Sequence, residues 1–165
     1  MTEFALVAPV LLLLTFGIID FGRALYFYVT AGAAAREGAR IAIRASNPLP
    51  SNIDVTGAVA SHLPGFTVVP ATCVNGPLPG GGPASGAASI YVTEPNPVSS
   101  LPSANAPGGE AAAPSGACNT VTPATGYQYL QVTVVFAYSP VTPLVSNVIG
   151  NRLVFRLGVI ARTEY

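Results

Sequence analysis

The sequence predicts an α+β fold in which one long hydrophobic N-terminal helix packs by its second half on a small antiparallel β-sheet head with long Pro/Gly-rich loops. Three observations predict it. Residues 1–44 carry no loop signal apart from Pro9 and scattered glycines, and two C-terminal segments alternate apolar and polar residues. Between these lie tracts of proline, glycine, serine and alanine without a core period. Half of the 165 residues are apolar and only 8% are charged, where about 25% is usual. A large hidden surface follows.

The helix comes first. Over residues 1–44 it would be about 60 Å long at 1.5 Å per residue, too long to be packed on all sides by a head made from residues 45–165. Phe4 to Ile19 is uninterrupted apolar sequence. Phe4 to Tyr26 would rise about 33 Å, close to the roughly 30 Å of a bilayer's hydrocarbon. Tyr26, Phe27 and Tyr28 then fall where an interfacial aromatic belt belongs. Beyond them the helix turns amphipathic: Arg36, Arg40 and Arg44 recur on one face, and Ala35, Ala39, Ala42 and Ile43 help form another that suits packing on the head. Pro9 lies near the helix start, where fewer carbonyls behind it lose a partner. A cleaved signal peptide is disfavoured, because no basic region precedes the apolar run and the helical pattern continues past any cleavage point.

The head, residues 45–165 with a loop-rich insertion at about 70–126, follows in shorter pieces. "SNIDVTGAVASHLPG" offers a short helix with Asn52 or Asp54 as N-cap and with Val55, Val59 and Leu63 at helical spacing. "FTVVP" and "SIYVTEP" read as short strands stopped by proline. In "YQYLQVTVVFAY" the alternation puts Leu130, Val132, Val134 and Phe136 on one face, with Gln131 and Thr133 opposite. "RLVFRLGVIARTEY" repeats it, with Leu153, Phe155, Leu157 and Val159 inward and Arg156 and Arg162 outward. The connection "SPVTPLVSNVIGN" is too long for a tight hairpin and predicts a helical turn. Such a sheet, apolar on one face, needs the amphipathic half of the helix as its cover.

Several function classes drop out. Net charge is zero and there is no lysine, so the basic footprint of a nucleic-acid binder is missing. No G-x-S-x-G elbow occurs, the sole histidine is His62, and "GGGP" at Gly80–Pro83 has no lysine to complete a phosphate loop. Asp54, Glu94 and Glu110 lack metal-ligand spacing. No enzyme, no cofactor and no metal site is expected. Cys73 and Cys118 stand far apart without C-x-x-C, which favours a disulfide and an oxidising compartment over a zinc site.

Glu3, Asp20 and Arg23 are out of place in so apolar a stretch. A carboxylate in hydrocarbon needs headgroup water or a cationic partner. Glu3 therefore belongs at an interface or beside a cation, and Asp20 and Arg23, three residues apart, are placed to neutralise each other as a stem ion pair.

"EFALVAPVLLLLTFGIIDFGRALYFY" followed by "AAREGARIA" resembles the TadE-like family of pilins and pseudopilins, within the type IV pilus superfamily of tight-adherence pili. The resemblance is strong over roughly residues 3–44 and looser over the closing strands. It implies a type IV pilin-like fold in which Glu3 and Phe4 occupy the family's glutamate and aromatic positions, Glu3 setting axial register by pairing with a neighbour's terminal amine. It further implies that a prepilin peptidase removes a basic leader, and that an assembly ATPase and platform draw subunits from the membrane into a homopolymer with bundled stems. The family usually has about four residues between cut and glutamate, whereas Met1 and Thr2 precede Glu3 here. Because the flanking arginines follow the span and would draw the head inward, against a disulfide, a basic leader upstream of Met1 is expected.

The expected function is that of a structural pilin subunit, single-pass in the cytoplasmic membrane before assembly and then part of an extracellular filament, with adhesion by the head as a further role. The competing expectation is a minor pseudopilin, or a single-pass membrane protein with an extracytoplasmic binding head that does not polymerise.

Overall fold

The computed structural model describes residues 2–46, 48–70, 82–93 and 129–163. Its elements run α1 (Thr2–Ala42), α2 (Asn52–Ser61), β1 (Thr67–Pro70), β2 (Ala87–Thr93), β3 (Tyr129–Tyr138), α3 (Pro143–Ile149) and β4 (Leu153–Arg162). The expected α+β architecture is present: α1 is one unbroken helix containing Pro9, and a four-stranded sheet in the order β1-β2-β3-β4 forms the head.

The sheet is mixed where an antiparallel one was expected. β2 and β4 flank β3 antiparallel, but β1 joins β2 parallel, in the register Thr67↔Ala87 to Pro70↔Ile90. A parallel neighbour needs a crossover of about a dozen residues or more, and residues 71–86 provide that length. Pro70, which has no N–H to give, stands at the end of the edge strand.

β3 is the central strand and is buried on both faces from Leu130 to Tyr138. The predicted alternation holds. Leu130, Val132, Val134 and Phe136 enter the main core, and Leu153, Phe155, Leu157 and Val159 of β4 pack against it. Gln131 and Thr133 lie on the other face and are buried there, the Gln131 Nε2 donating to Thr133 Oγ1 at 3.0 Å.

The second half of α1 covers the apolar face with small residues, Ala31, Ala34, Ala35, Ala39 and Ala42. Small side chains let helix and sheet backbones approach closely. Gly38 shows the limit: a Cβ there would stand 2.3 Å from Val59 Cγ2 and 3.2 Å from Val132 Cγ1. Arg36 and Arg40 project from the opposite side of the helix, with Arg40 paired to Glu37, and Arg44, expected on the same face, lies exposed beyond the helix end at Ala42. Toward the stem, alanine gives way to rings. Phe27 meets Phe66 (centroids 4.8 Å apart), Phe66 meets Phe136 (5.2 Å) and Phe136 stacks on Phe155 (5.1 Å).

The N-cap of α2 is Ser51, one residue before the expected Asn52. Its hydroxyl accepts from the Asp54 N–H, and Asp54 Oδ2 accepts from the Ser51 N–H at 2.9 Å. Asp54 thus acts from the third helical position, completing a reciprocal capping box. Val55, Val59 and Leu63 are buried as their spacing predicted. The helical turn expected between β3 and β4 is α3, opened by Pro143. Cys73 and Cys118, expected to pair, lie outside the described residues.

Candidate assembly and membrane-contact surface

One helix among the described residues is long and apolar enough to cross a membrane, spanning Val7–Ala42. Its two halves have different surroundings. Ala31, Ala34, Ala35, Ala39 and Ala42 are buried in the head, whereas Phe4 (75% exposed), Val10, Leu13, Phe16 and Ile19 are exposed. The apolar run that defines the stem is therefore bare on all sides. Water does not tolerate such a surface, and lipid or other apolar helices do.

The stem meets the head at Asp20, the first buried side chain described along α1, at 3% exposure. Its carboxylate is enclosed by donors. Val141 N–H donates to Oδ1 at 3.1 Å, Thr142 N–H to Oδ2 at 3.2 Å, the Thr142 hydroxyl to Oδ2, and the Tyr138 hydroxyl to Oδ1 at 3.3 Å and to the Asp20 carbonyl at 3.0 Å. Thr142 is the N-cap of α3 but forms no side-chain cap of its own, and no acid lies in that helix's first turn. Asp20 supplies the missing anion from across the molecule, where the helix dipole and the free N–H groups favour it.

Arg23 goes elsewhere. Its guanidinium lies 5.9 Å from the ring centroids of both Phe27 and Tyr138, within cation–π range. The structure thus gives each member of the expected Asp20–Arg23 pair a different partner and joins the two through Tyr138, which offers its hydroxyl to one and its ring face to the other. Burial and the neighbouring Asp20 charge raise the Tyr138 phenol above its usual value.

Beside this clasp runs an apolar groove of about 540 Å³ between α1 and the head, lined among others by Gly17, Phe21, Leu25 and Tyr28 on the stem side and by Pro140, Val145 and Phe155 on the head side. Sequence reasoning singled out Asp20 but missed its partners and this groove. One signal was available: a proline-led helix without an acid in its first turn needs an anion from outside.

Phe4 is exposed on the stem; the side chain of Glu3 lies outside what is described. His62, the sole histidine, sits at the C-cap of α2 with Nδ1 2.9 Å from the Ala58 carbonyl. Among the described residues no cluster of His, Cys, Asp and Glu is placed to hold a metal.

Comparison with known proteins bears on nearly the whole of α1. Residues 1–40 match the family model for TadE-like protein. The match takes in the stem, Asp20, Arg23 and Gly38, and it bears out the resemblance read from "IIDFGRA" and "AREGAR". The matched segment is similar to a family associated with tight-adherence pili, and the one long apolar helix among the described residues fits a membrane-anchored component of such a pilus. The TadE-like family is a structural, pilus-associated one. Neither a curated protein nor a solved structure matches the chain.

Proposed function

We propose that the chain is a structural subunit of a Tad-like pilus that polymerises through its hydrophobic stem. The observation that carries this reading is the bare apolar helix from Phe4 to Ile19, joined without a break to a half that its own head buries. A stem of this kind is stable in lipid and again in a bundle of identical stems, where Gly17 and Gly22 permit close helix approach. Leaving lipid then needs no aqueous intermediate. Glu3, with Phe4 beside it, fixes the axial register by pairing with a neighbour's terminal amine, and the head faces outward, where it serves adhesion. The subunit is single-pass in the cytoplasmic membrane before assembly and extracellular afterwards. A prepilin peptidase, an assembly ATPase and a platform protein act on it, as the family match leads one to expect.

Electron microscopy of purified full-length chain, with and without Glu3→Ala, tests the proposal. Filaments that disappear or lose regular register in the variant are the expected result. Dispersed particles from both proteins would instead indicate a membrane protein that does not polymerise.

A further inference from the structure

The stem meets the head before it has crossed a bilayer. Glu3 marks one end by its need for water, and at Asp20 the head first closes on one side of the helix, whose other sides stay exposed at Phe21, Leu25, Tyr26 and Val29. Phe4 to Ile19 rises only about 24 Å, against roughly 30 Å of hydrocarbon. Tilting the helix enlarges the deficit. A short span is accommodated by thinning the bilayer or by drawing flanking surface into it, and the surface flanking Asp20 is apolar at Phe21 and Val141, with the Arg23 cation one turn further on. Phe21, 70% exposed on the stem, lines the groove, and Val141, 65% exposed on the loop that clasps Asp20, follows Pro140, which lines it from the head side. Its volume of about 540 Å³ lies within the range of roughly 300–1,000 Å³ that suits a bound apolar molecule. Asp20 does not oppose entry, because its carboxylate already accepts from Tyr138, Val141 and Thr142 and asks nothing of water.

We propose that the stem-side edge of the head is seated in the membrane interface before assembly, with the groove between α1 and α3 occupied by a lipid acyl chain. The groove is continuous with the lipid-facing stem, so a chain reaches it without crossing water. About one helical turn of missing span is made up by Phe21, Val141 and the groove walls. This inference rests on the stem lying in a bilayer and not on polymerisation.

The absence of tryptophan from the sequence makes the test direct. Single-tryptophan variants of the full chain, Val10→Trp in the stem, Val141→Trp at the clasp, Val145→Trp in the groove wall and Ile53→Trp at the start of α2, are reconstituted in phosphatidylcholine vesicles with acyl chains brominated or not. Expected is a twofold or greater loss of fluorescence in brominated vesicles for Val10→Trp, Val141→Trp and Val145→Trp, with Ile53→Trp unchanged. Quenching of Val10→Trp alone means that the head stands clear of the bilayer and overturns the proposal. Loss of Val145→Trp quenching as the protein-to-lipid ratio rises identifies a second copy's stem as the occupant, which overturns lipid. Absence of quenching at Val10→Trp defeats membrane anchoring and this proposal together, while leaving the filament test above to be decided separately.

Discussion

The Tyr138 hydroxyl lies 3.0 Å from the backbone carbonyl and 3.3 Å from the Oδ1 of Asp20, a residue 118 positions earlier in the chain. It is the point where the apolar stem is fastened to the sheet. Replacing Asp20 by Ala leaves the Val141 and Thr142 N–H groups and the Thr142 hydroxyl without their acceptor, while the Tyr138 hydroxyl keeps the backbone carbonyl, so the head should lose roughly 3 kcal/mol of stability. Asn, which keeps one acceptor oxygen, should cost less. Denaturant unfolding of the detergent-solubilised chain, followed by tyrosine near-UV circular dichroism, checks both, and equal stability of all three proteins would refute the clasp.

The same contact predicts an alkaline limit. The folded state holds the Tyr138 phenol above its ordinary value of 10.0, first by burial and then by the Asp20 charge. Above that value the unfolded chain binds fewer protons than the folded one, so this contribution, full below it, is lost as pH rises through the raised folded value. Tyr138→Phe should be less stable at neutral pH and show a shallower alkaline decline. A pH series of unfolding midpoints for the two proteins decides the point.

Gly38 is predicted to be intolerant. Its absent Cβ leaves the space into which Val59 Cγ2 reaches, and Gly38→Ala should destabilise by about 2 kcal/mol through overpacking. Adding Val59→Ala should restore part of that loss although Val59→Ala alone is destabilising, because the two changes share one site. Additive losses in the double-mutant cycle would argue against direct contact.

At the acid end, hydrogen bonds from Ser51 hold the Asp54 carboxyl below its ordinary 3.8. A depressed carboxylate contributes stability above its unfolded value and loses it as pH falls through the folded one. Amide exchange in α2 should therefore accelerate as pH drops below about 4, after correction for intrinsic rates. In Ser51→Ala this extra acceleration should be missing.

A Cys73–Cys118 bridge would close a loop whose constraint on the unfolded chain contributes on the order of 4 kcal/mol. Mass spectrometry of protein from an oxidising compartment should show two thiols fewer than the reduced chain, and Cys73→Ser should lower the unfolding midpoint. Two alkylatable thiols in the native protein would exclude the bridge.

Much of this architecture was legible in the residues. The alternation in "YLQVTVVFAY" and "RLVFRLGVIAR" assigned each strand's inner face correctly because a two-residue period admits one register of burial. The alanine face of α1 was readable for the same reason at helical spacing. Three features were not. Pairing direction at the sheet edge depends on a connection and not on the four residues of β1. The choice of Ser51 over Asn52 as cap turns on Asp54, which local sequence also offers as a cap and which acts instead from the third position. The partners of Asp20 come from the end of β3 and the loop after it, 118 to 122 positions away, and no local pattern encodes a hydrogen bond across that separation. Local sequence offered Arg23, three residues on, as the simpler answer.

The unbroken course of α1 from stem to sheet has a mechanical consequence. A pull on the stem along its axis reaches the head with no intervening hinge, and it meets the Asp20 clasp, the ring cluster and the alanine-lined contact. These contacts follow one another along the helix, at Asp20, Phe27 and the buried alanines from Ala31 to Ala42, and an axial pull loads them in shear. The head is built to be towed by its own helix.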